Sequence, residues 1–174
     1  MMKNTVSRFC YASLVFGFAI SNAWGHATVS PKQAGQDSYQ RLSFGITHGC
    51  EGSPTVEVIV YLPESIMGAK PMPKAGWTIE TEIKALSQPY TSHGKEIKQD
   101  VRVIRWKSGQ LPDQHYDEFV MMTRLGNKTG MVALPITQIC EKGRMDWNQV
   151  SEGTMKKLPF PAPLLEIVPG DHHH

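Results

Sequence analysis

The chain has 174 residues, of which 40% are apolar and 20% charged, and its formal net charge is +2 at pH 7. Lys3 and Arg8 account for that excess, so the rest of the chain carries equal numbers of acidic and basic residues. A protein that binds nucleic acid or an anionic membrane surface needs a basic surplus. The composition therefore points to neither kind of partner, and the length fits one domain.

The first 25 residues are typical of a secretory signal peptide. Lys3 and Arg8 give a positively charged start, residues 9–20 are predominantly apolar, and a short run ending in small residues follows. The apolar stretch is too short to span a bilayer, which takes about 20 residues. We therefore expect an exported protein, located in the periplasm or elsewhere outside the cytoplasmic membrane.

The cleavage position has two candidates, because Ala23 and Gly25 both fit the small-residue pattern that precedes a cleavage site. Cleavage after Gly25 makes His26 the first residue of the mature chain, whereas cleavage after Ala23 leaves Trp24 there. We predict cleavage after Gly25.

The body of the chain shows apolar side chains at every second position, which predicts β-strands with one buried and one wet face. Such strands are predicted at residues 42–46, 56–62, 77–84, 101–106, 117–123 and 131–139. Gly and Pro clusters separate them, and no segment has a helical stripe. About seven short strands favour an all-β, two-sheet sandwich of the immunoglobulin/fibronectin-III type over residues 26–150. Residues 151–174 are predicted to form an extended, Pro-rich tail.

Three cysteines are present, and Cys10 is removed with the signal peptide. Cys50 and Cys140 remain in an oxidising compartment, so we predict a disulfide between them. It closes a loop of about 90 residues, for which the chain-entropy model gives about 4–5 kcal/mol of stabilisation. The alternative is a pair of thiolate metal ligands, although neither cysteine has a C-x-x-C partner.

His26 is the candidate metal ligand of the sequence. A histidine at a free N-terminus offers two nitrogens, the terminal amine and the ring Nδ1, to one ion. The amine has a pKa near 8, so copper can displace its proton at neutral pH, and nitrogen-rich sites favour Cu(II). An ordinary histidine at a frayed chain end is the alternative.

Several landmarks of the sequence occur in a recognisable order: His-Ala-Thr-Val-Ser-Pro from His26, His-Gly-Cys-Glu-Gly-Ser-Pro from His48, Pro-Met-Pro-Lys-Ala-Gly-Trp from Pro71, then Cys140-Glu141 and Trp147. In these features the chain resembles the YcnI-like family (DUF1775 domain) of exported bacterial proteins. The resemblance covers roughly residues 26–150.

The resemblance implies a monohistidine brace for Cu(II), built from an N-terminal histidine, a carboxylate and a nearby tryptophan. In this sequence the histidine is His26, the tryptophan falls on Trp147, and the carboxylate falls on Glu51, with Glu57 and Asp146 as substitutes. It also implies copper storage, delivery or homeostasis alongside membrane copper-transport proteins. From the spacing we expect a Cys50–Cys140 bridge to fix Glu51 and bring Trp147 near it.

Other functions remain open. The usual enzyme motifs are absent, so we expect no enzyme, but a copper-dependent oxidative enzyme of the histidine-brace type and a non-metal interaction module are alternatives. His48 fits a turn histidine or an indirect partner of the metal site. The closing run of His172, His173 and His174 fits a metal-collecting tail or a cloning remnant.

Overall fold

The computed structural model describes residues 25–151 and 158–170, which form twelve β-strands and contain no helix. The predicted signal peptide, apart from Gly25, and the three C-terminal histidines lie outside this part. No helix able to cross a membrane is found among these residues. The strands are β1 (Thr28–Ser30), β2 (Gln33–Gly35), β3 (Tyr39–Ile46), β4 (Thr55–Tyr61), β5 (Ile66–Pro71), β6 (Thr78–Ser92), β7 (Lys95–Leu111), β8 (Asp117–Leu125), β9 (Gly130–Ala133), β10 (Ile136–Cys140), β11 (Arg144–Trp147) and β12 (Leu164–Val168).

Two of the sheets form the predicted sandwich. One has the strand order β1-β3-β8-β5 and the other β11-β10-β4-β7-β6. Their inward side chains alternate with outward polar ones and form one buried cluster. Its largest fully buried members are Trp106, Trp147, Phe44, Phe119, Leu42, Ile46, Ile66, Ile104, Met121, Leu125, Leu134 and Ile136. The prediction of an all-β sandwich of immunoglobulin type is thus confirmed.

A third sheet extends the fold beyond residue 150. It has the order β2-β12-β9, with β12 parallel to β2 and antiparallel to β9. Leu165 and Ile167 of β12 are buried in the common core. This strand lies in the segment that the sequence suggested as an extended tail, so the folded part reaches Val168.

Two strand predictions need correction. The predicted strand at residues 131–139 is two strands, because Pro135 lacks an N–H for a ladder and the chain passes from the third sheet to the five-stranded one there. The predicted strands at 77–84 and 101–106 are parts of a much longer hairpin, β6–β7, whose two-residue turn at His93-Gly94 has positive φ at both positions. Most of the residues added to β6 and β7 are exposed, which removes the alternation that marks a half-buried strand.

Candidate functional site

A buried tryptophan lies at one edge of the five-stranded sheet. Trp147 is the last residue of β11, is 1% exposed, and pairs with Ile136 of β10. Because side chains alternate along a strand, Gln138 of β10 shares the inner face with Trp147. The indole N–H donates a hydrogen bond to Gln138 Oε1 at 3.1 Å, which fixes the orientation of the ring.

Gln138 also holds the loop that follows β3. Its Nε2 donates to the carbonyl oxygen of His48 and to Oγ1 of Thr55, both at 2.7 Å. The side chain is buried, and a buried amide is stable only when its donors and acceptor find partners. One glutamine therefore connects this loop, β4 and the indole.

The N-terminal segment enters the sandwich beside this indole. Thr28 pairs with Gly45 in the antiparallel register of β1 and β3, so the residues before β1 run alongside those after β3. The His26 ring meets Trp147 edge-on, with centroids 6.0 Å apart and planes at 74°. Two of the three predicted site residues are therefore in ring contact.

A second histidine packs on the same indole. The centroid of His48 lies 6.2 Å from that of Trp147, with the planes at 71°. Its Nδ1 lies 2.6 Å from the carbonyl oxygen of Gly49, and its Nε2 lies 2.6 Å from the carbonyl oxygen of Gly25. The sequence suggested either a turn histidine or an indirect partner of the metal site. It did not predict the contact with Trp147, because that contact depends on the non-local pairing of β1 with β3.

Cys50 and Cys140 form the predicted disulfide, with a Cα–Cα distance of 5.9 Å and both residues buried. The bridge joins the loop after β3 to the end of β10. Trp147 pairs with Ile136 at the other end of β10. Ile136 and Cys140 are about 13 Å apart along the strand, so the bridge itself does not lie beside Trp147. Within the loop it is His48 that contacts the indole.

Glu51, the predicted carboxylate, lies in a tight turn that two backbone hydrogen bonds close between Cys50 and Ser53. Its φ is 51° and its side chain is exposed. Among the described residues, no hydrogen bond or ion pair engages its carboxylate. Glu51 is therefore a solvent-facing carboxylate next to the disulfide, available to an ion.

The two substitute carboxylates face away from the indole. Asp146 and Trp147 are neighbours in β11, so their side chains project to opposite faces of the sheet. A hydrogen bond from Arg144 Nη2, 2.7 Å from Asp146 Oδ1, holds the pKa of this carboxyl below its ordinary range. Glu57 of β4 also faces outward, where Arg105 lies 3.5 Å away.

A surface cavity of about 470 Å³ opens beside His26. It is lined by β1, Lys32, Met131 of β9 and the final segment of the chain, including Glu166. Glu166 accepts a hydrogen bond from Gln33 Nε2 at 3.0 Å. The sequence did not single out this carboxylate, because only the pairing of β12 with β2 and β9 brings it to the cavity.

Across residues 25–151 and 158–170, no three side chains of His, Cys, Asp or Glu gather in an arrangement that could hold a metal ion. The potential ligands that contact the indole are two imidazoles, and a terminal amine joins them in a chain that starts at His26. This donor set consists of nitrogen atoms, which suits Cu(II) better than Mg²⁺ or Ca²⁺.

Fold and site together define an immunoglobulin-like β-sandwich domain in which His26 contacts the buried indole of Trp147. A crystal structure of an uncharacterized protein from Nocardia farcinica with an immunoglobulin-like fold is similar, with a TM-score of 0.63 and 23% identity over 82% of this chain and 97% of that one. Residues 26–167 match the family described as "Domain of unknown function (DUF1775)", and the chain belongs to this family. A search of curated proteins found no match.

Proposed function

We propose that this protein is an exported copper-binding protein that holds Cu(II) at its mature N-terminus for storage, delivery or homeostasis. The observation that carries the proposal is the contact between His26 and the buried indole of Trp147. In a chain that begins at His26, the amine and Nδ1 belong to one residue and can chelate one ion. The amine titrates near pH 8, so copper competes with its proton at neutral pH.

The surroundings of His26 fit this role. Gln138 anchors the indole through its N–H, so the ring is held in one orientation against His26 and His48. A cation beside an indole face gains about 0.5–2 kcal/mol from the ring quadrupole. The indole would also keep water and reductants from one side of the ion, which favours holding copper over oxidising a substrate.

We propose Glu51 as the carboxylate of the site from the family resemblance, and its exposed side chain engages no described protein partner. Glu166 is the competing carboxylate, since it lines the cavity beside His26. Replacing each in turn, Glu51→Gln and Glu166→Gln, separates them by Cu(II) affinity: we expect the first to weaken binding and the second to leave it unchanged. If Glu166→Gln weakens Cu(II) binding and Glu51→Gln does not, the carboxylate ligand is Glu166.

The proposed setting is the periplasm or another extracytoplasmic location, with membrane copper-transport proteins as partners. The Cys50–Cys140 disulfide supports export, since disulfides persist in oxidising compartments outside the reducing cytosol. In this proposal the protein is not an enzyme and does not bind nucleic acid.

The test is the N-terminal mass of the exported protein, followed by Cu(II) titration read by EPR. His172, His173 and His174 are replaced by serine so that the tail contributes no sites. We expect a chain that starts at His26 and binds one ion tightly through nitrogen.

One residue added before His26 converts the amine into an amide. We expect it to weaken binding at least about 100-fold, the upper end of what loss of an outer contact costs a metal site. The thermal midpoint of the metal-free protein serves as the folding control. A terminus at Trp24, or binding indifferent to the added residue, would contradict the proposal.

A further inference from the structure

The carbonyl group of Gly25 occupies one ring nitrogen of His48. Its oxygen lies 2.6 Å from His48 Nε2, and Gly25 packs so closely here that a Cβ at this position would collide with Thr47 Oγ1 and lie 3.0 Å from His48 Cδ2. Gly25, the residue before the proposed cleavage site, therefore packs directly against His48.

Cleavage after Gly25 removes that carbonyl group. Standard peptide geometry puts its oxygen about 2.3 Å from the His26 nitrogen, which becomes the terminal amine. The same oxygen is 2.6 Å from His48 Nε2. Metal–nitrogen bonds in proteins are about 2 Å long, so an ion that replaced this oxygen would face both nitrogens.

The other ring nitrogen of His48 is already oriented for this role. Nδ1 lies 2.6 Å from the carbonyl oxygen of Gly49. Once the Gly25 carbonyl no longer faces Nε2, a neutral imidazole that donates through Nδ1 presents the lone pair of Nε2 to an ion. Metal-binding histidines commonly donate their second ring nitrogen to a backbone carbonyl in this way. Gln138 Nε2 donates a hydrogen bond to the carbonyl oxygen of His48 at 2.7 Å, which fixes the backbone that carries the imidazole.

We propose that His48 Nε2 is an additional copper ligand of the mature protein, and that the Gly25 carbonyl covers this nitrogen until the signal peptide is removed. The inference rests on the proposed function and on cleavage after Gly25. The site then holds three nitrogens: the amine and ring of His26, and the ring of His48, with both rings against Trp147.

The test counts imidazoles bound to Cu(II) by electron spin-echo envelope modulation, in which the remote nitrogen of each bound ring gives its own signal. The exported protein is used with serine at His172, His173 and His174. We expect two imidazoles in the otherwise unaltered protein and one in His48→Gln, with Cu(II) affinity at least about tenfold weaker in the variant. The exposed His115 provides the matched control, since His115→Gln should leave both readouts unchanged.

The outcomes separate the two proposals. Tight binding that is sensitive to a residue added before His26, but with one imidazole in the unaltered protein, overturns the role of His48 and leaves the copper function intact. A second imidazole that persists in His48→Gln also overturns it. Absence of a tight site overturns both. If His48→Gln fails to fold, the imidazole count of the unaltered protein decides, because a count of one excludes His48.

Discussion

The β6–β7 hairpin and the Trp147 site, which comprises His26, His48, Gln138 and Trp147, differ in where their contacts come from. The hairpin pairs neighbouring stretches of chain through one two-residue turn and carries exposed ion pairs such as Lys107–Glu80. The site joins three distant stretches of chain through buried hydrogen bonds and ring contacts.

This difference predicts different tolerance to substitution. A hairpin side chain that loses its partner meets water, whereas a buried group of the site that loses its partner stays unpaired. Substitutions should therefore cost more stability around Trp147 than along the hairpin, and the following measurements test that expectation from the largest effect to the smallest.

The largest effect should come from the disulfide, which joins the loop that contains His48 to the end of β10. Replacing Cys50 and Cys140 together by alanine removes a bridge between residues 90 apart, which the chain-entropy model values at about 4–5 kcal/mol. Urea unfolding measures the loss, and the unaltered protein with its disulfide reduced is the control that should lose the same amount. A loss below about 2 kcal/mol would contradict the chain-entropy value and the place of this effect as the largest.

The next largest effect should follow from Trp147→Phe. The variant leaves Gln138 Oε1 buried without its donor, which costs about 1–3 kcal/mol. The matched control is Trp77→Phe: Trp77 directly precedes β6, is half-buried, and packs closely against Gly109 of the hairpin and edge-on against Phe119. Equal losses of unfolding free energy in the two variants would remove the distinction between site and hairpin.

A smaller effect is expected for Arg105→Ala in the hairpin. Arg105 pairs with Glu82 at 2.7 Å and with Glu57 at 3.5 Å, but all three side chains are partly solvated. Partly exposed pairs contribute little and are screened by salt. We expect the thermal midpoint to fall by at most about 4 °C, and by less at high ionic strength. A larger, salt-independent fall would show that the hairpin depends on this cluster.

The smallest effect concerns pH and the outer face of β11. The hydrogen bond from Arg144 lowers the folded-state pKa of Asp146 below its ordinary value of 3.8. Its stabilising contribution is therefore present above about pH 4 and is lost as pH falls through the lowered pKa. Thermal midpoints from pH 7 down to 3 should show Asp146→Asn slightly less stable than the unaltered protein at neutral pH, with the two converging in acid. A difference between the two thermal midpoints that grows as the pH falls would contradict a lowered pKa for Asp146.

Much of the fold could be predicted because apolar and polar residues alternate along its half-buried strands. Val56 and Val58, on either side of the outward Glu57, indicate β4 without knowledge of its neighbours. The third sheet could not be predicted in this way, since β12 pairs with β2 across more than 130 residues and lies in a Pro-rich segment. The distal parts of β6 and β7 were missed because most of their side chains are exposed and show no apolar alternation.

The site was predictable only where chemistry marks single residues. His26 stands out by its position after the expected cleavage point, and Trp147 by the family resemblance. His48 was marked only as a turn histidine or an indirect partner, and Gln138 and Glu166 carried no mark. The contacts of all three arise from the register of β1 on β3, of β10 on β11, and of β12 on β2 and β9. Identifying them requires strand pairing that the sequence does not state.

Gln138 has a consequence for how this edge of the sandwich behaves as a unit. Its amide gives both N–H groups to oxygen atoms and its oxygen to the indole N–H, so a half-turn of the amide would set acceptor against acceptor at the His48 carbonyl and donor against donor at the indole. Loop, β4 and indole thus accept a single orientation of one side chain, and loss of any one contact weakens the others. In thermodynamic terms the position of His48 and the pose of Trp147 are coupled variables, and order at one is a condition for order at the other.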